Sequence, residues 1–223
     1  MSAPTASRPA TLPPERAGTA ASADLAARRA GLAAAVDTGT WRTDPAPEEI
    51  MLGGVRCLRF GSPLASRGTV LHMHGGAFRV GCPEQVGRFA AALAEACAVD
   101  VICPAYRLAP EHPFPAGISD GWTVLTALAA GKSGRLVISG DSAGGGLAAG
   151  LAALSHEAGM HLAGLALLSP WLDLSVTDAS YTANAVSDHL FSAESAREAA
   201  ELYLQSLSPA DPVASPLKGS VAG

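Results

Sequence analysis

The chain has 223 residues, of which 48% are hydrophobic and 16% charged, so it carries enough apolar side chains for a core and is not intrinsically disordered. Its formal net charge of −5 argues against a nucleic-acid or anionic-membrane partner, which a basic surface would bind. No run of 18 apolar residues is present and the first 18 residues lack the apolar centre of a secretory signal, so we expect no membrane span and a cytoplasmic protein.

The N-terminal part of the chain predicts a tail followed by a helix. Residues 1–18, MSAPTASRPATLPPERAG, are rich in Pro, Ala, Ser and Thr, which is typical of a poorly ordered terminus. Residues 20–36, AASADLAARRAGLAAAV, favour a helix that packs across another part of the molecule. The segment TDPAPEEI then breaks the chain before residue 50.

From this break onwards, strand and helix patterns alternate. Residues 55–60, VRCLRF, alternate apolar and charged side chains, as an exposed or edge strand does. Further strands are predicted at 69–74, 99–104, 135–140 and 162–170, and helices at 84–98, 117–130 and 143–159. Because the later strands are apolar on both faces, the fold class is α/β, with a mostly parallel central sheet and helices on both faces. Ligand sites in such sheets form at the carboxyl ends of the strands.

The segment 171–208 fits no further strand. Residues 192–207, SAESAREAAELYLQSL, predict a helix with Ser192 as its N-cap. Since the segment leaves the carboxyl end of the last strand, we expect part of it, 175–208, to lie over the site as a lid.

The cysteines are scattered and contain no CxxC pair. This spacing predicts buried free thiols in a reducing compartment, not a disulfide framework or a zinc site. The four are Cys57, Cys82, Cys97 and Cys103.

Residues 140–144, GDSAG, match the G-x-S-x-G pattern of a nucleophile elbow, in which a serine sits on a sharp turn between strand and helix. Gly140 and Gly144 have no side chains, so the helix can pass close to the strand. The pattern predicts Ser142 as a nucleophile raised above the sheet, with the Ala143 amide pointing at developing negative charge. A plain glycine-rich turn is the alternative, and the flanking strand and helix disfavour it.

A second glycine turn, HMHGGAF at 72–78, follows the strand at 69–74. Backbone amides after His74 can form the other half of an oxyanion hole, because Gly75 and Gly76 leave room for a substrate. The alternative is a phosphate-binding turn, which the acidic composition and the lack of a following G-K-[ST] disfavour.

Five motifs in order resemble those of the hormone-sensitive-lipase family of α/β-hydrolases, in its bacterial carboxylesterase branch. They extend from about residue 45 to the end of the chain: HGGAF, YRLAPEHPFPAG (106–117), GDSAGGGLA (140–148), SPWLDL (169–174) and DPVASPL (211–217). The resemblance implies an α/β-hydrolase fold with a helical cap and no metal or cofactor. It implies that 1–45 forms the N-terminal tail and cap helix, that 46–223 is a partial hydrolase core, and that 175–208 contributes to the cap.

The resemblance also assigns the site residues. It implies Ser142 as the nucleophile and an oxyanion hole made by His74, Gly75, Gly76 and Ala143. Gly140, Asp141 and Gly144 form the elbow. Asp141 and the stretch 106–111 are interpreted as scaffold, since Asp141 neighbours the serine and its side chain should point the other way.

The remaining triad members, a histidine base and an acid, are not evident in this sequence. Three histidines follow Ser142: His156 is about 21 Å along the helix, His161 is at the amino end of the last strand, and His189, in the lid-like segment, is allowed by geometry. Asp173 follows the last strand, but without a base it orients nothing. His72 is interpreted as a structural hydrogen-bonding residue and His112 as part of a proline-rich loop.

In the family that the chain resembles, the acid and the histidine come after two further strands, which do not occur here. We therefore expect a fragment of a longer enzyme, an apolar sheet edge beyond 162–170 that a partner covers, such as a second copy in a homo-oligomer, or a marginally stable protein. The expected function is hydrolysis of small short-acyl esters through an acyl-enzyme on Ser142. A non-catalytic small-ligand-binding protein and an acyltransferase remain as alternatives.

Overall fold

The computed structural model describes residue 9 and residues 11–61, 67–131 and 134–219. The helices and strands in chain order are α1 (Ala23–Asp37), β1 (Glu48–Leu52), β2 (Val55–Phe60), β3 (Thr69–Met73), α2 (Gly87–Cys97), β4 (Asp100–Pro104), α3 (Ala116–Ala130), β5 (Leu136–Asp141), α4 (Ser142–Glu157), β6 (Gly164–Leu168), α5 (Ser180–Ala183) and α6 (Ala193–Leu204). A short 3₁₀ helix follows at Pro216–Lys218.

The strands form one six-stranded sheet in the order β1-β2-β4-β3-β5-β6. Strands β4, β3, β5 and β6 are parallel, whereas β1 pairs with β2, and β2 with β4, in antiparallel register. Parallel neighbours need crossover connections, and here α2, α3 and α4 supply them. The predicted α/β architecture is therefore confirmed.

Strand β1 is an element that the sequence pattern missed. It forms a hairpin with β2 around Gly53 and Gly54, both at positive φ, and Leu52 pairs with Val55. The segment was interpreted as a chain break because it follows a proline-rich stretch and begins with two glutamates. The prediction of β2 as an exposed or edge strand is wrong, since β1 lies outside it and Phe60 is buried.

Alternate residues of the central strands pack against opposite layers of helices. Leu71 and Ile102 belong to the core cluster that contains residues of α3 and α4. Their chain neighbours Val70 and Val101 pack in a second cluster with Ala90 of α2. This period of two places helices on both faces of the sheet, as predicted.

Strand β6 lies at the other edge of the sheet. It was expected to be buried, but Leu165 is 43% exposed and Leu168 is 38% exposed. The prediction was wrong because, among the described residues, no further strand pairs with the outer side of β6. An apolar edge of the kind expected from the sequence is present.

The described part of the N-terminal segment is anchored although it is not helical. Arg16 donates hydrogen bonds to the Leu204 carbonyl at 3.0 Å and to Ser206 Oγ at 2.8 Å. Glu15 pairs with Arg107 at 2.7 Å, and Leu12 is buried. The prediction of a poorly ordered tail is therefore wrong for residues 11–18, whereas residues 1–8 and 10 lie outside the described residues.

The helical expectations near both ends of the chain are confirmed. Helix α1 begins after Ser22, whose Oγ accepts the Leu25 N–H, and α6 begins after the predicted cap Ser192, whose Oγ accepts the Ser195 N–H. The four-residue helix α5 was not predicted. No helix within the described ranges combines the length and the apolar character that crossing a membrane would require.

All four cysteines are free thiols. Cys57 and Cys103 are buried as expected, and burial raises the pKa of the Cys57 thiol to about 12. The expectation of burial is wrong for Cys97, which is exposed, and for Cys82, which is half-buried.

Candidate active site

The turn between β5 and α4 holds Ser142 in a strained backbone conformation. Its φ is +52°, a left-handed value that non-glycine residues rarely adopt. A Cβ atom at Gly144 would overlap the carbonyls of Met73 and His74, and one at Gly140 would overlap the backbone of Gly144. Both glycines are therefore needed for α4 to pack against the ends of β3 and β5.

The loop that follows β3 lies beside this turn. Strands β3 and β5 are parallel neighbours, with Met73 opposite Gly140, so both chains leave the sheet at the same edge. The loop then turns sharply, with φ of +122° at Gly76 and +52° at Ala77. The Val80 N–H donates to the Gly76 carbonyl at 3.0 Å, which closes the turn.

The amide of Gly75 has an acceptor inside the protein. Its N–H donates to Asp141 Oδ1 at 2.9 Å, and a Cβ atom at position 75 would collide with the same carboxylate. This differs from the expectation that the Gly75 amide faces a substrate. An N–H held by a carboxylate is not free for an oxyanion, so Gly75 ties the loop to the elbow.

A buried polar network lies beneath the elbow. His72 Nδ1 is hydrogen-bonded to Ser139 Oγ at 2.8 Å, and His72 Nε2 lies 3.4 Å from Asp141 Oδ1. Burial alone would raise the pKa of Asp141, but His72 and the Gly75 amide outweigh it and hold the pKa below its usual value. These contacts fit the interpretation of Asp141 as scaffold and of His72 as a structural hydrogen-bonding residue.

His74 is also held inside the protein. Its Nδ1–H donates to the Gly75 carbonyl at 2.7 Å, and its ring stacks on Tyr106 with the centroids 4.3 Å apart. The Tyr106 hydroxyl donates to the His74 carbonyl at 2.7 Å. Burial lowers the pKa of His74 to about 4, which outweighs the favourable contacts with Gly75 and Asp141. The ring is therefore neutral at neutral pH and supports the loop from behind.

Ser142 opens into a cleft of about 330 Å³. Its lining comes from α1, from the loops after β3 and β6, and from α5, α6 and the segment between them: Arg28, Ala77, Arg79, Ser142, Ser169, Pro170, Trp171, Tyr181, Asp188, Leu190, Phe191, Ser195, Ala196 and Ala199. Both segments that were expected to form a cap thus contribute side chains to the cleft. Their assignment as a separate cap stays a prediction.

Several lining residues were missed by the sequence analysis. Ala77 and Trp171 lay inside quoted motifs, HGGAF and SPWLDL, so their positions after β3 and β6 were available signals. Arg28 and Tyr181 carry no local signal, because only the packing of α1 and α5 brings them to the cleft.

No histidine of the described ranges lies in the lining of the Ser142 cleft. All six fall within the described ranges, and none lines the cleft. His72 and His74 are buried, and the others, His112, His156, His161 and His189, are exposed.

Asp173, the acid that follows the last strand, is held by an ion pair away from Ser142. Asp173 pairs with Lys218 at 2.8 Å; although burial opposes it, this ion pair helps to lower the pKa of Asp173. Asp173 does not line the cleft. The part of the chain that the structure describes contains no group of three or more His, Cys, Asp or Glu side chains placed to hold a metal ion.

Comparison with known proteins gives a consistent result. A sequence model of the family described as "alpha/beta hydrolase fold" matches residues 70–223. An acetyl-hydrolase of Streptomyces hygroscopicus is 35% identical over 158 residues, which are 70% of this chain and 53% of that protein. An esterase of Acinetobacter venetianus is 35% identical over 178 residues, 78% of this chain and 59% of that protein. The chain thus spans between half and two thirds of the length of these relatives.

Solved structures show the same similarity. The crystal structure of an esterase from the bacterial hormone-sensitive lipase family superposes with a TM-score of 0.76 at 34% identity, covering 79% of this chain and 61% of that one. The structure of EstE5 soaked with p-nitrophenyl butyrate superposes with a TM-score of 0.82 at 28% identity, covering 95% and 70%.

Proposed function

Because the chain belongs to the hormone-sensitive-lipase-like family of α/β-hydrolases, we propose that the protein is a serine carboxylesterase for small short-acyl esters. The relatives named esterase and acetyl-hydrolase support this reaction class. The observation that carries the proposal is Ser142 at a φ of +52°, opening into a cleft beside the loop that follows β3.

In the proposed reaction, Ser142 Oγ attacks the carbonyl carbon of the ester and forms a tetrahedral intermediate. Its oxyanion accepts hydrogen bonds from the backbone amides of Gly76 and Ala143, and from Ala77, which lines the cleft. Gly75 and His74 hold this loop in position. A general base takes the Ser142 hydroxyl proton during the attack and passes it to the leaving alcohol when collapse of the intermediate breaks the ester bond. Water then hydrolyses the acyl-enzyme to a carboxylic acid and restores the Ser142 hydroxyl.

We further propose that the described residues supply neither the histidine base nor its acid. No histidine lines the cleft among the residues that the structure describes, and Asp173 is paired with Lys218. Loss of the base lowers turnover by about 10⁶-fold in a well-studied serine hydrolase. The 223-residue chain should therefore acylate Ser142 only slowly.

A chemical base supplied in solution tests both parts of the proposal. The chain is incubated with p-nitrophenyl acetate with and without imidazole, and the acetylated residue is identified by mass spectrometry. We expect acetylation of Ser142 to be faster with imidazole than in buffer alone. The Ser142→Ala variant should lack this label. Ser169→Ala is the matched control, because Ser169 lines the same cleft. Rapid Ser142-dependent turnover without imidazole would show that the chain does contain a base.

A non-catalytic small-ligand-binding protein is the second candidate. The observation that favours it is the absence of histidine from the cleft lining within the described ranges. This candidate predicts ligand-dependent stabilisation of the fold. It also predicts that Ser142 remains unlabelled at every imidazole concentration, which the carboxylesterase proposal excludes.

A further inference from the structure

The charged side chains that line the cleft of Ser142 are mainly basic. The cleft lining contains two arginines, Arg28 and Arg79, and one acid, Asp188. The chain as a whole is acidic, with 20 Asp and Glu against 15 Lys and Arg. The lining thus differs in its mix of charged side chains from the chain as a whole.

Helix α1 is fixed at the cleft by the residue next to Arg28. Arg29 donates hydrogen bonds to the Arg79 carbonyl at 2.8 Å and to the Ala109 carbonyl at 2.7 Å, and it pairs with Glu111 at 2.7 Å. All three partners belong to loops of the hydrolase core. These contacts hold α1 in place, with Arg28 in the lining of the cleft.

The two cleft arginines differ in their partners. The Arg79 side chain is 6% exposed and pairs at 2.8 Å with Glu198, whose side chain is 61% exposed. Its Nε is buried without a hydrogen-bond acceptor among the described residues. Arg28 is exposed and, within the same ranges, has neither a hydrogen bond nor an ion pair.

The acid in the lining, Asp188, is hydrogen-bonded within its own loop. Asp188 Oδ1 accepts the N–H groups of Leu190 and Phe191, both at 2.9 Å. Arg28 is therefore the basic side chain of the lining that has no acidic partner among the described residues.

We propose that the cleft selects esters that carry a carboxylate, and that the guanidinium of Arg28 binds this carboxylate. A hemiester of a short dicarboxylic acid is the ligand class, because a guanidinium matches a carboxylate with two parallel hydrogen bonds. The inference rests on the proposed function, since it places the ester group of the same ligand at Ser142.

Binding measured without turnover tests the proposal. In a Ser142→Ala background, calorimetry compares monoethyl succinate with the neutral diethyl succinate at pH 7.5. We expect the hemiester to bind about fivefold more tightly than the diester, as one exposed charge pair allows, and this preference to shrink as salt is added. Arg28→Gln should bring the ratio of the two affinities close to one, and Arg28→Lys should retain part of it.

Arg135→Gln is the matched control, because Arg135 is exposed just before β5, at the opposite end of the strand from Ser142. It should preserve the hemiester preference. An equal affinity for the two esters, or a preference that survives Arg28→Gln, overturns the proposal. Labelling of Ser142 is unaffected by that outcome, so a failure of this inference is distinguishable from a failure of the carboxylesterase proposal.

Discussion

The carboxylate of Asp141 accepts the N–H of Gly75 at 2.9 Å across 66 positions of sequence. This hydrogen bond joins the residue before Ser142 to the loop that follows the neighbouring strand β3. The same carboxylate oxygen lies 3.4 Å from His72 Nε2. Asp141 therefore couples the position of the loop to the position of the elbow.

Removal of this carboxylate should loosen the loop. We expect Asp141→Ala to lower the free energy of unfolding by about 1–3 kcal/mol, because the Gly75 N–H loses its acceptor and His72 loses its neighbouring carboxylate. Asp141→Asn keeps an acceptor oxygen and should cost less. Urea denaturation measures the stabilities, and hydrogen exchange at the Gly75 amide should accelerate in the alanine variant. Exchange that stays at the wild-type rate would contradict the role of Asp141 in holding the loop.

The buried ring of His74 should make stability depend on pH. Its pKa is about 4 in the folded protein and 6.5 without burial, so the unfolded chain binds the proton first as the pH falls. Above pH 6.5 the neutral ring of His74 makes its full contribution to the free energy of unfolding. This contribution falls by about 3 kcal/mol in total as the pH decreases from 6.5 to 4. Urea unfolding at several pH values measures it. His74→Gln should flatten the curve in this window, and an unchanged slope would show that another group titrates.

The close approach of α4 to the ends of the strands should make position 144 intolerant of any side chain. Gly144→Ala places a Cβ atom against backbone carbonyls of Met73 and His74, which cannot rotate away. We expect a loss of at least about 3 kcal/mol in the free energy of unfolding. Gly31→Ala is the matched control, since this glycine lies within α1 with no atom near the new methyl group. It should stabilise the protein by up to about 1 kcal/mol.

The apolar edge at β6 should promote self-association. Leu165 and Leu168 are partly exposed on a strand whose outer side is unpaired among the described residues. A lysine on an edge strand discourages strand pairing between molecules. We expect Leu168→Lys to reduce concentration-dependent association in sedimentation velocity experiments. A wild-type chain that is monomeric at every concentration tested would show that this edge does not pair.

Much of the fold was predictable because its signals are local. The periods of apolar residues located β3, β4, β5 and the helices between them, and GDSAG placed the turn before α4. The hairpin partner β1 was missed because EEIML has a weak apolar pattern of its own and becomes a strand by pairing with β2. The exposure of β6 was missed because burial depends on what lies beyond a strand.

The sequence by itself determined the elbow and the glycine loop, since a turn is encoded by the few residues that form it. Only the tertiary structure decided which amides of that loop remain free, because the acceptor of the Gly75 N–H is 66 residues away. It also brought Arg28 from the N-terminal helix to the cleft of Ser142. The partners of a hydrogen bond or a charge depend on how distant segments pack, and no local pattern records that arrangement.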